Sequence, residues 1–265
     1  MTTVCLVGCG NMGFAMLKGW LAKGSDVTVV EPNDALRARA AKAGAVALSD
    51  AAELTDAPDL IFLAVKPQVM NVVAPQYARF AGGGTTFVSV AAGVTMDSLA
   101  GWLPGETPLV RTMPNTPAAI GQGMLVSCAN YLVGADVRGQ VDTLLAASGE
   151  TAWIDDESLM DAVTAISGSG PAYVFHFIEC LADAAVALGL PEDIALQLAR
   201  QTVAGSGALA RASDTAPAEL RVQVTSPGGT TAAALEVLMA DPGLSDLVQR
   251  AATAARDRGV ELGKS

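Results

Sequence analysis

The sequence predicts an α/β protein, an N-terminal doubly wound, mostly parallel sheet followed by an all-helical C-terminal domain. Three observations carry this. Short, near-continuous apolar runs recur up to residue 154 and alternate with segments of helical spacing, the pattern of a parallel sheet covered on both faces. A glycine-rich loop, Gly8-Cys9-Gly10-Asn11-Met12-Gly13, closes the first run and opens the first helical segment. After Asp155 the strand-like runs stop, and Ala-rich helical patterns occupy most of the remaining chain.

Taken in order, residues 3–8 are the first strand and Phe14 to Lys23 the helix after the loop. Val27 to Val30 is the second strand and ends in Glu31, about 20 residues past the loop, where a Rossmann-type fold places its ribose ligand. Strands follow at Leu60 to Val65, Thr86 to Val90 and Leu109 to Thr112, with helices near Ala35 to Ala43, Gln68 to Arg79 and Met96 to Trp102. Met124 to Cys128 and Thr151 to Ile154 extend the same sheet. Beyond them, Asp156 to Ile166, Pro171 to Leu188, Pro191 to Ala212, Thr230 to Met239 and Leu244 to Leu262 read as helices. Pro171 and Pro191 stand at helix starts, where a missing N–H costs nothing, and Gly189 ends the helix before Pro191. The boundary falls between residues 1–155, a dinucleotide-binding domain, and residues 156–265, a helical one. Its long Ala/Leu/Val helices carry more apolar surface than they can bury among themselves, which predicts a homodimer or larger homo-oligomer.

With 51% hydrophobic and 16% charged residues among 265, the chain is expected to be folded throughout. A formal net charge of −11 argues against nucleic acid and anionic membrane surfaces as partners. No apolar run approaches the ~18 residues of a bilayer span, and the N-terminus enters a strand without a basic leader, so a cytoplasmic location is expected. Cys5, Cys9, Cys128 and Cys180 show no Cys-x-x-Cys spacing and no cluster with the single histidine, so neither a metal nor a disulfide framework is predicted.

Two glycine-rich loops concentrate the chemistry. In the first, Gly8, Gly10 and Gly13 fit G-x-G-x-x-G between a strand and a helix, giving a tight turn, close approach to a pyrophosphate, and helix–strand packing. Cys9 reads as small filler, and Asn11 and Met12 belong to the same cofactor-binding loop. Three more segments lie at strand ends, where parallel sheets bind ligands. Ala64-Val65-Lys66-Pro67 offers a lysine for the cofactor's phosphate or ribose. Ala92 and Gly93 follow the next strand, and Asn115, between two prolines, is placed to meet nicotinamide or substrate. The second loop, Ser226-Pro227-Gly228-Gly229-Thr230-Thr231, opens a helix whose first N–H groups and macrodipole can hold a carboxylate without Lys or Arg. The alternative is an ordinary helix start capped by the Thr230 or Thr231 hydroxyl. His176, between Phe175 and Phe177, reads as a core or interface residue.

Together with Ser167-Gly168-Ser169-Gly170-Pro171-Ala172-Tyr173, these segments resemble the pyrroline-5-carboxylate reductase family, along essentially the whole chain and on four separated motifs. The resemblance implies hydride transfer from NADP or NAD, in reduced form, to the C=N bond of 1-pyrroline-5-carboxylate, giving L-proline, the last step of proline biosynthesis. It implies that the backbone around Gly228, Gly229, Thr230 and Thr231 binds the substrate carboxylate, that Ser226 supports this loop, and that the Thr231 hydroxyl points at the ring nitrogen. The chain departs from the family pattern at Glu31 and at Ser49-Asp50-Ala51, where many members have a small hydroxyl residue and an asparagine. Both changes weaken 2′-phosphate recognition and make NAD plausible, with Arg37 or Arg39 able to compensate. Two other readings are a hydroxyacid or imine dehydrogenase of similar architecture and a non-catalytic dinucleotide-binding redox sensor. The hydroxyacid enzymes need a base, commonly a lysine on the helical domain, and from residue 150 onward the only lysine is Lys264. The sensor has no use for a second anion cradle.

Overall fold

In the computed structural model, which describes residues Thr2–Gly263, eight strands form one sheet. They are β1 (Val4–Val7), β2 (Val27–Val30), β3 (Val46–Leu48), β4 (Leu60–Leu63), β5 (Thr86–Ser89), β6 (Leu109–Met113), β7 (Gly123–Ala129) and β8 (Gly149–Trp153). Their order is β3-β2-β1-β4-β5-β6-β7-β8. The first six pair in parallel, β7 runs antiparallel to β6, and β8 lies parallel to β7. The helices of this part are α1 (Asn11–Ala22), α2 (Asp34–Ala43), α3 (Pro67–Val73), α4 (Met96–Trp102), α5 (Ala135–Leu145) and α6 (Met160–Val163).

Alternation along the strands sends side chains to two cores. Val4, Leu6, Val29, Leu60 and Phe62 face Met16, Leu17 and Trp20 of α1 and Val141, Leu144 and Leu145 of α5. Cys5, Val7, Val30, Ile61, Leu63 and Phe87 face Met70, Tyr77, Phe80 and Leu99 on the other side. The Trp20 and Phe62 ring centroids are 4.7 Å apart, and the Trp20 indole N–H donates to the Leu144 carbonyl at 2.9 Å. Burial pushes the Cys5 thiol up to about 12 and the Cys128 thiol to about 11, so both are neutral packing groups.

Several elements differ from expectation. The span 68–79, read as one helix, is α3 followed by a 3₁₀ stretch, Ala74–Phe80, because Pro75 has no N–H and its ring clashes with the carbonyl four residues back. The span 156–166 is a 3₁₀ turn (Glu157–Leu159), α6, and a π-helical stretch, Thr164–Gly168. The helix α5 was not foreseen, since Gly139 and the four polar side chains Asp136, Arg138, Gln140 and Asp142 interrupt its apolar stripe, yet Val141, Leu144 and Leu145 are buried.

The chain divides into two compact units. One runs to Ser169 and takes back the chain from Ala255 onward; the other is Gly170–Ala254. The second holds α7 (Gly170–Ala187), α8 (Glu192–Ala212), the short α9 (Pro217–Gln223), also unforeseen, α10 (Thr230–Leu238) and the start of α11 (Leu244–Leu262). Gly189, at φ +96°, closes α7: its N–H donates to Val186 at 2.8 Å and that of Leu190 to Ala185 at 3.1 Å. In this unit α7 and α10 bury no residue, and α8 buries only Ala195 and Ala199. Phe175, Phe177, Leu188, Leu209 and Val237 are exposed. Among the described residues, no helix is long and apolar enough to cross a membrane.

Candidate functional site

The paired residues Val7 and Val30, Val7 and Leu63, and Leu63 and Ser89 align the C-terminal ends of β2, β1, β4 and β5. The strand order reverses between β1 and β4, the crevice where open sheets bind dinucleotides. There the three loop glycines meet different constraints. Gly8 has φ +87°, and a Cβ on it would lie 2.8 Å from the Ala64 carbonyl oxygen and from Val65. On Gly13 a Cβ would lie 2.3 Å from the Gly8 carbonyl oxygen, so close packing of α1 on β1 requires glycine. Gly10 faces open space. It is also the N-cap of α1, with no side-chain cap, so the first N–H groups of a twelve-residue helix are left for a ligand. This loop fits a dinucleotide pyrophosphate.

Glu31 is buried and braces the loop. Its Oε2 accepts from the Cys9 N–H at 2.7 Å and its Oε1 from the Asn33 N–H at 2.9 Å. A carboxylate offers about four lone-pair sites, so acceptance from ribose hydroxyls remains open to it. Arg37 donates to the Glu31 and Pro32 carbonyls, both at 3.1 Å, and pairs with Asp34. Arg39 donates to the Cys9 carbonyl at 2.6 Å. Both guanidiniums are thus engaged with the backbone around the loop and the end of β2. Cys9 is buried, and burial raises its thiol above the ordinary value against the pull of the Arg39 charge.

Ala64 and Val65 are half-buried against Gly8, while Lys66 is exposed at the N-cap of α3, followed by Pro67. Ala92 is exposed, and Gly93 turns the chain after β5 with φ +76°. Asn115 follows β6 and spends its amide on the protein. Nδ2 donates to the Ser167 carbonyl at 3.0 Å, and Oδ1 accepts from the Met124 N–H at 2.9 Å. It ties the Met113-Pro114 loop to the π-helical segment, a type of segment common at functional sites. Sequence reasoning placed Asn115 at this end of the sheet but missed the brace, which joins residues 52 positions apart.

In the second loop Ser226-Pro227-Gly228-Gly229 forms a tight turn. The Gly229 N–H donates to the Ser226 carbonyl at 3.0 Å, and Gly228 takes φ +66°, a type II arrangement with proline second and glycine third. Gly229 is the N-cap of α10 and, lacking a side chain, supplies no cap; Thr230 and Thr231 are the first two helical residues. The alternative of a capping threonine hydroxyl is therefore not realised. Thr231 is half-buried, while Ser226, Gly228 and Thr230 are exposed.

His176 is not a core residue of the chain. Its side chain is 75% exposed on α7, with Nδ1 3.0 Å from Glu179 Oε2 and Nε2 3.6 Å from the exposed Cys180 thiol. Among the described residues, no group of three or more His, Cys, Asp or Glu side chains is placed to hold a metal ion.

The family model for pyrroline-5-carboxylate reductase dimerisation matches residues 157–262, and that for NADP oxidoreductase, coenzyme F420-dependent, matches residues 3–93. The chain is 41% identical to the pyrroline-5-carboxylate reductase of Pseudomonas aeruginosa over 98% of its own length and 96% of that protein. A solved pyrroline-5-carboxylate reductase from Coxiella burnetii superposes with a TM-score of 0.95 at 33% identity, covering 100% of this chain and 99% of the other. The Plasmodium falciparum pyrroline carboxylate reductase, solved with NADP bound, gives 0.82 at 29% identity over 99% and 98% of the two chains.

Proposed function

We propose that this chain, which belongs to the pyrroline-5-carboxylate reductase family, reduces 1-pyrroline-5-carboxylate to L-proline with NADH or NADPH, as the last step of proline biosynthesis. The observation that carries the reading is a pair of uncapped helix N-termini, on α1 and α10, each led in by glycines that admit a ligand to the backbone. The first suits a pyrophosphate and the second a small carboxylate, in a chain whose net charge of −11 would otherwise repel both.

When bound, the reduced nicotinamide supplies the hydride to the C=N carbon. Gly8, Cys9, Gly10, Asn11, Met12 and Gly13 hold the pyrophosphate, Glu31 the adenosine ribose, and Ala64, Val65, Lys66, Pro67, Ala92, Gly93 and Asn115 line the remaining strand ends. Backbone N–H groups from Gly229 to Thr231 bind the substrate carboxylate, in the turn that Ser226 and Gly228 set, and the Thr231 hydroxyl meets the ring nitrogen. A cyclic imine is basic enough to arrive protonated, so these residues need only fix its orientation, without a strong general acid. This accords with a helical part whose only lysine is Lys264 and whose only histidine, His176, is exposed and engaged with Glu179. A hydroxyacid dehydrogenase would need a base there. Turnover of 1-pyrroline-5-carboxylate, compared with unsubstituted pyrroline, tests the assignment: preference for the acid is expected, and no turnover with either cofactor would refute it.

Residues 1–155 are assigned to cofactor binding and residues 156–265 to dimerisation and substrate binding, in a cytoplasmic enzyme. Because α7, α8 and α10 leave aromatic and branched apolar side chains uncovered, sedimentation at micromolar concentration should show at least a dimer.

For the cofactor, the buried Glu31 carboxylate opposes a 2′-phosphate, so NADH should be used at least as well as NADPH. Glu31→Ser should raise the ratio of kcat/KM for NADPH to that for NADH about tenfold, roughly the worth of one unfavourable charge contact. Both absolute values should fall as well, because the Cys9 N–H loses its acceptor.

A further inference from the structure

We propose that Arg39 is a positioning residue for the cofactor loop, acting through the peptide planes of Cys9 and Gly10. The proposal rests on the dinucleotide reading of that loop. From α2, the Arg39 side chain reaches the start of α1: Nη2 donates to the Cys9 carbonyl at 2.6 Å and to the Gly10 carbonyl at 3.2 Å. Its guanidinium lies over the Phe14 ring, 4.1 Å from the centroid. Its Nε is buried without a partner among the described residues. An unpaired buried donor is unfavourable, so the fork is held by its other contacts.

A trans peptide unit is planar, with its C=O and N–H pointing in opposite directions. Fixing the Cys9 carbonyl therefore fixes the Gly10 N–H, and fixing the Gly10 carbonyl fixes the Asn11 N–H. Both are aimed away from Arg39. Glu31 completes the clamp by accepting the Cys9 N–H at 2.7 Å, so three successive peptide units are set from Gly8 to Asn11. The outward N–H groups of Gly10 and Asn11 are the donors that an anion uses at a helix start. The Gly10 carbonyl also accepts the Phe14 N–H at 2.9 Å and stays in the helix without Arg39, whereas the Cys9 carbonyl, released from Arg39, is free to turn toward the pyrophosphate and repel it. Arg39 thus preorganises the loop, reducing the ordering cost of binding.

The test is equilibrium binding of NADH and NADPH to the full-length protein, followed by nicotinamide fluorescence, for Arg39→Met, which keeps the stem over Phe14 without donors, and for Arg39→Lys. Arg39→Met should weaken both cofactors alike, about tenfold, while kcat at saturating cofactor and KM for 1-pyrroline-5-carboxylate stay within about twofold. Arg39→Lys, with one ammonium able to reach the carbonyls, should recover part of the loss and serves if the Met variant fails to fold. A loss confined to NADPH would overturn the proposal by making Arg39 a direct ligand of the 2′-phosphate. Unchanged affinity with a lowered Tm would overturn it by making Arg39 a structural support alone. If the unmodified protein binds neither cofactor, the dinucleotide reading itself has failed, which the wild-type titration reveals independently of any variant.

Discussion

Thr231→Ala is expected to lower kcat/KM for 1-pyrroline-5-carboxylate by roughly 10- to 150-fold, the equivalent of about 1.5 to 3 kcal/mol for a hydrogen bond made mainly in the transition state. The substitution removes the hydroxyl and keeps the backbone. Because Gly229 and not Thr231 is the N-cap of α10, the helix start loses no capping bond, and Tm should change little. Carboxylate binding on the proposed backbone N–H groups should largely survive, so the loss should fall on kcat more than on KM. Thr231→Ser should retain most of the activity. An alanine variant that turns over normally would remove the hydroxyl from the mechanism, whatever its stability.

Gly13→Ala is expected to weaken cofactor binding about 100-fold, since a displacement near 1 Å in a binding loop carries an effect of that order. A Cβ there would stand 2.3 Å from the Gly8 carbonyl oxygen, and that neighbour is backbone at the end of β1. Either α1 or the loop must retreat, at a stability cost of about 1 to 3 kcal/mol for overpacking. Gly10→Ala is the informative contrast, because a Cβ at Gly10 meets nothing within 4 Å. Its Tm should stay near that of the parent while cofactor affinity falls, since the added methyl enters the space a pyrophosphate would use. Equal affinity for NADH in parent and Gly10→Ala would place the cofactor elsewhere.

What could be read from the sequence was whatever repeats at short range. The bounds of β2 coincide with the apolar run Val27 to Val30, and the spacing of Gly8, Gly10 and Gly13 marks the turn between β1 and α1. Gly189 followed by Pro191 marked the end of α7 correctly. Illegible were the ties between distant residues, because a single hydrogen bond leaves no periodic trace. Asn115 to Ser167 and Arg39 to Cys9 are of this kind. The burial of Glu31 against the Cys9 N–H was equally hidden, although its place at the end of β2 was not. At α3 the signal was present but outweighed: the apolar spacing of 68–79 continues past Pro75, whose missing donor ends the α-helix.

The open flanks of α7 mean that folding and assembly are one equilibrium for this part of the chain. An eighteen-residue helix with no buried residue gains little hydrophobic free energy from its own polypeptide. Covering those flanks with a second copy makes the native state depend on encounter as well as on sequence, so protomer concentration acts as a stabilising ligand with the logarithmic dependence of any binding equilibrium. A scarce subunit is therefore a less stable one, and the start of α10, led in by Gly228 and Gly229, belongs to the unit whose stability is governed in this way.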